Sequence, residues 1–151
     1  MRTIWLIGLA LALALFPIAA LKAQDITSCS FPKGKSFYHK DGEWTDDKLS
    51  DGVFTFKRTA NGFDMLYVDG RKKIVSSIDD GAMVALLRQG PQDATFFVMY
   101  PQNVIALYTI WEDREGKGWM DWLQSAGGSS PVHKSALMVG SCQSINWGVF
   151  K

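Results

Sequence analysis

The sequence is short of most things that advertise a chemistry. It has two histidines and two cysteines in 151 residues. The histidines, His39 in Tyr38-His39-Lys40 and His133 in Val132-His133-Lys134, have no spacing that joins them into a metal site or an acid–base pair. Charge of one sign is also missing. Sixteen basic residues face fifteen acidic ones, a formal net of +1, and without a basic face nucleic acid is a poor partner. No Gly-x-Ser-x-Gly elbow surrounds Ser129-Ser130 near His133, so the loop there reads as a linker and not as a nucleophile. Lys33-Gly34-Lys35-Ser36 resembles the end of a phosphate loop, but Cys29 stands where its first glycine belongs. Asp41-Gly42-Glu43-Trp44-Thr45-Asp46-Asp47 is acidic without EF-hand spacing and reads as a solvated loop. No catalytic residue, metal ligand or cofactor is therefore assigned.

What is present starts at the N-terminus. Arg2 precedes an apolar, Leu- and Ala-rich run from Ile4 to Leu21, and Ala23 offers a small residue for cleavage. Residues 1–23 read as an export signal helix, and residues 24–151 as a single domain placed in the periplasm or secreted. The rival reading is an uncleaved anchor, which would be the chain's one link to a membrane. Ile26-Thr27-Ser28-Cys29 is a faint lipoprotein box, spoiled by charges at Lys22 and Asp25. In an oxidising compartment the even cysteine count predicts a Cys29–Cys142 disulfide.

The domain is punctuated by turn pairs. Asn61-Gly62, Asp69-Gly70, Asp80-Gly81 and Gly90-Pro91 recur about every ten residues, and a longer turn runs from Asp113 to Gly118. Short segments between them alternate in the period of a strand. The apolar stretch Ala94–Asp113 is cut by Tyr100-Pro101-Gln102-Asn103, because Pro101 lacks an N–H and Asn103 suits a turn. It reads as two strands and not as a membrane span. Two more strands are predicted near 118–124 and 135–142. The sum is an all-β antiparallel meander of about eight or nine strands, closing into a small lipocalin-like barrel, with a β-sandwich as the alternative.

The strand 104–112 is apolar on both faces, which predicts a cover on its outside. Phe31–Trp44 and the tail Ile145–Phe150 are the candidates for it. Phe54, Phe56, Phe63, Met65 and Tyr67 lie at alternate positions of two strands and should form one inward surface, either packed core or the lining of a ligand cavity. Five tryptophans remain after Trp5, and most are read as core.

The segment "VSSIDDGAMVALLRQGPQDATFFVMYP" and the later "HKSALMVGSC" resemble a group of small exported proteins of alpha-proteobacteria. The resemblance implies export but no activity, site or substrate. In architecture the domain is similar to periplasmic lysozyme-inhibitor barrels, without their inhibitory loop motif. The expected function is non-enzymatic binding of a small apolar ligand or an envelope protein. A hydrolase with an unrecognised site and a small outer-membrane barrel are the alternatives.

Overall fold

The computed structural model describes residues 23–151. The expected signal lies almost wholly outside these residues. The first strand begins at Gln24, where the exported chain is expected to start.

Ten strands follow one another. They are β1 (Gln24–Tyr38), β2 (Glu43–Lys48), β3 (Val53–Thr59), β4 (Gly62–Val68), β5 (Ile74–Ser76), β6 (Met83–Gln89), β7 (Asp93–Tyr100), β8 (Val104–Glu112), β9 (Gly118–Ala126) and β10 (Lys134–Cys142). All pairings are antiparallel, in the order β5-β4-β3-β1-β10-β9-β8-β7-β6, with β2 added to β1. The sheet curls into a half-barrel. Its ends, β5 and β6, do not pair with each other. Where the ends approach, Tyr67 of β4 meets Tyr100 of β7 edge to face at 6.4 Å, and the Ser77 and Tyr100 hydroxyls lie 2.9 Å apart. Both open ends are protected as edges usually are: β5 has only three residues, and β6 is bulged between Leu86 and Arg88.

The Ala94–Asp113 stretch is β7 and β8, joined through Asn103 at φ 58°. The hairpin β3–β4 turns on Ala60-Asn61, with Gly62 paired to Thr59. Gly62 has φ 136°, a conformation that favours glycine, which is why the turn signal falls one residue late. The strand that starts at Ile74 stops at Ser76. The Asp64 carboxylate accepts from the Ser76 hydroxyl and the Ile78 N–H, and Ser77 donates its N–H to the Met65 carbonyl, so the chain turns inward.

Two strands, β1 and β2, arise where the sequence predicted a cover and an acidic loop. β1 is the spine of the sheet. Its first half pairs with β3, its second half with β2, and β10 lies along the other edge. Gly34 permits this, because a Cβ there would collide with the Leu137 backbone carbonyl. Cys29 sits directly opposite Cys142 and is bonded to it, 113 positions apart in sequence. The bridge is compatible with an oxidising, exported compartment. The tail is not an outer cover either. Asn146 donates its N–H to the Ile26 carbonyl, and the short 3-10 turn Trp147–Phe150 buries Val149 and stacks Phe150 on Phe63 at 6.0 Å. It plugs one end of the interior.

Among the described residues, therefore, nothing covers the outward face of the sheet. Ala85, Phe97, Leu107, Leu123 and Leu137 stand in register across five neighbouring strands, and the row runs on into Lys35 of β1. Of the five tryptophans, only Trp122 is buried; Trp44 is 56% exposed, and Trp111, Trp119 and Trp147 are half-buried. Trp44 sits near the start of β2 and Trp111 and Trp119 on the outward face, so the core reading fails for them.

Candidate functional site

The interior differs from end to end. Near the tail it is filled. Phe56 is fully buried, stacked on Phe96 at 5.0 Å across the barrel, and Met65, Ile110 and Met120 close around it. Phe63 is half-buried between Phe96 and Phe150.

Toward the opposite end the same inward surface opens into a cleft of about 850 Å³. Its floor is aromatic. Tyr108 and Trp122 are register partners on β8 and β9, stacked at 5.8 Å with 13° between planes. Phe54 comes from the other wall, 5.5 Å from Tyr108 and 5.3 Å from Trp122. Tyr67, Tyr100 and Gln124 add polar groups, and the β2–β3 loop and Ser130-Pro131 form the mouth. The aromatic set of β3 and β4 is thus divided: Phe56 and Phe63 belong to the filled end, Phe54 and Tyr67 to the cleft.

The phenols here are held neutral. Burial, together with a 2.8 Å hydrogen bond donated to Asp80, pushes the Tyr67 pKa far above that of an ordinary phenol. Burial raises Tyr100, with Asp80 and Asp64 nearby acting the same way, and burial raises Tyr108 as well. Each stays an uncharged donor across the physiological range. Among the described residues three buried polar atoms lack a partner: Asp93 Oδ1, Trp147 Nε1 and Trp122 Nε1. The last belongs to a ring that lines the cleft. An unpaired buried N–H costs about 1–3 kcal/mol.

Beside the mouth lies a half-buried polar knot. Asp47 of β2 accepts from the Ser36 hydroxyl at 2.6 Å and from Tyr38 at 3.2 Å, with Lys134 Nζ at 3.4 Å. Burial pushes its pKa up, but the Ser36 bond, the Lys134 charge and the Tyr38 bond together outweigh that and hold it below the usual carboxylate range. The acidic run of residues 41–47 is divided between two roles. Asp46 pairs outward with Lys35, while Asp47 is used internally.

The histidines do come together. The His39 N–H donates to the His133 carbonyl at 3.1 Å, and both residues border a small surface hollow. The His39 ring packs edge-on against Phe37, and His133 Nε2 lies 3.1 Å from the Gly128 carbonyl. No group of three metal-ligating side chains occurs among the described residues.

No family model, no curated protein and no solved structure matches the chain.

Proposed function

We propose that this chain is an exported binding protein of the cell envelope that holds a small, apolar, planar ligand in the cleft between Phe54, Tyr108 and Trp122. One observation carries the reading: a cleft of about 850 Å³, in the size range of ligand sites, with a stacked aromatic floor and an indole N–H left without an acceptor. Aromatic faces hold planar apolar groups, and the few neutral donors fix orientation. The Cys29–Cys142 bridge and the charge–apolar–small pattern of residues 1–23 support export to the periplasm or the medium. Native mass spectrometry on protein taken from the envelope tests the reading. A retained organic mass in stoichiometric amount, lost in Trp122→Ala, is the expected result. Bare protein that also fails to bind planar lipophilic probes would refute it.

A further inference from the structure

A second site lies on the opposite, outward side. At the point where β1 changes partner from β3 to β2 the strand is bulged between Ser30 and Lys33. Pro32 is buried inward there, and the Phe31 N–H donates to the Gly52 carbonyl. The change of partner throws Phe31 outward with φ 52°, a backbone conformation rarely tolerated by a bulky side chain, and leaves it 62% exposed. Its ring stands at a groove of about 970 Å³ whose charged lining is Lys33, Lys35 and Lys48 with Asp46 and Asp47, beside Trp119 and Val139.

The charges in that groove conflict. Lys33 and Lys48 are direct register partners on adjacent antiparallel strands, so two ammonium side chains share one face. Like charges so placed repel. Neither is in an ion pair among the described residues; the neighbouring Lys35 takes Asp46, and Asp47 is bound to Lys134. Lys117 lies over the Trp119 ring at 4.1 Å, which adds positive charge nearby. The groove also opens onto the solvent-facing apolar row, because Lys33 pairs with Val139 and Lys35 with Leu137. Strain, unneutralised like charge and exposed apolar surface thus meet at one place.

We infer that this groove and the adjoining apolar row dock a segment of a partner protein in which carboxylates alternate with apolar side chains. A carboxylate between Lys33 and Lys48 removes their repulsion. Apolar side chains rest on Phe31, Val139 and Leu137. The site is separate from the cleft, although Lys48 borders both, so Lys33 is the residue that discriminates.

The test uses a synthetic peptide of alternating Glu and Leu and its Gln–Leu counterpart, titrated into isotopically labelled protein. Expected are amide shifts at Phe31, Lys33 and Val139 with the Glu peptide, binding that weakens as salt rises, and roughly tenfold weaker binding of the Gln peptide. Lys33→Gln should weaken the Glu peptide by a similar factor while leaving the melting temperature unchanged or slightly higher. Trp122→Phe, which alters only the cleft, should leave peptide binding intact. Equal binding of both peptides, shifts confined to the cleft, or no binding would overturn the inference. So would a melting temperature several degrees lower in Lys33→Gln, which would make that lysine structural.

Discussion

Phe54 and Phe56 are the same residue type, two positions apart, on one face of one strand. Truncating each to alanine should nevertheless have different effects. Phe56 is fully buried, stacked on Phe96 at 5.0 Å and edge-on to Tyr108 at 5.6 Å. Removing its ring leaves an enclosed void that neighbours on rigid strands cannot fill. The lost transfer energy and the void together cost about 3–5 kcal/mol. Phe54 is 7% exposed and forms part of the cleft wall. Removing it merely enlarges a space that water already reaches. The void contribution then drops out and the transfer contribution remains, about 2–3 kcal/mol. Urea unfolding monitored by tryptophan fluorescence would measure both, with unchanged m-values as the check on two-state behaviour. A domain with a total stability of about 5–15 kcal/mol can register the difference. Equal losses at the two positions, or a greater loss at Phe54, would refute the division of the interior into a filled end and an open one.

Cys142→Ser should lower stability by about 4–5 kcal/mol, since the bridge closes a very long loop; calorimetry measures the loss, and intact mass without reductant should show the wild type two hydrogens lighter than its reduced form. Asp47→Asn should cost about 1–3 kcal/mol at neutral pH by leaving Lys134 half-buried and unpaired. Because the folded-state pKa of Asp47 is depressed, its contribution is complete above the unfolded value near 3.9 and fades as pH falls through the folded value. Thermal melts of wild type and variant should therefore begin to converge only as pH falls below about 4 and meet below the folded-state value. N-terminal sequencing of exported protein should begin near Gln24; recovery of Met1 would contradict cleavage.

The hairpin half of the molecule was legible because its signals are local. Pro101 and Asn103 break the apolar run, the Gly and Asp pairs mark turns, and alternation places Phe54, Phe56 and Met65 on one face. β1 was not legible, because two bulges interrupt its alternation, between Asp25 and Thr27 and between Ser30 and Lys33, and because Pro32 and Gly34 read as breakers. β2 was hidden by its acids, whose two roles emerge only once β1 places Lys35 on one side and Ser36 on the other. The apolar outer face of β8 was visible, but of its proposed covers residues 31–44 became strands of the sheet and the tail went to one end of the interior. The β3–β4 wall of the cleft was legible, since alternation put Phe54 and Tyr67 on an inward surface that core or a ligand could fill, but its floor was not. The cleft needs Phe54 to meet Tyr108 and Trp122 across the barrel, a contact between strands that are neighbours in neither sequence nor hydrogen bonding.

The most direct test of ligand binding in the cleft is a titration of the purified protein with a planar lipophilic fluorophore such as anilinonaphthalene sulfonate, run beside Trp122→Phe. That variant keeps an aromatic surface and removes the unpaired N–H. Ligand binding in the cleft predicts saturable one-to-one binding to the wild type, quenching of Trp122 emission by energy transfer, and competition by any ligand recovered from the envelope. It also predicts altered affinity in the variant with its fold intact. Non-saturable binding, or binding identical in wild type, Trp122→Phe and Phe54→Ala, would contradict it.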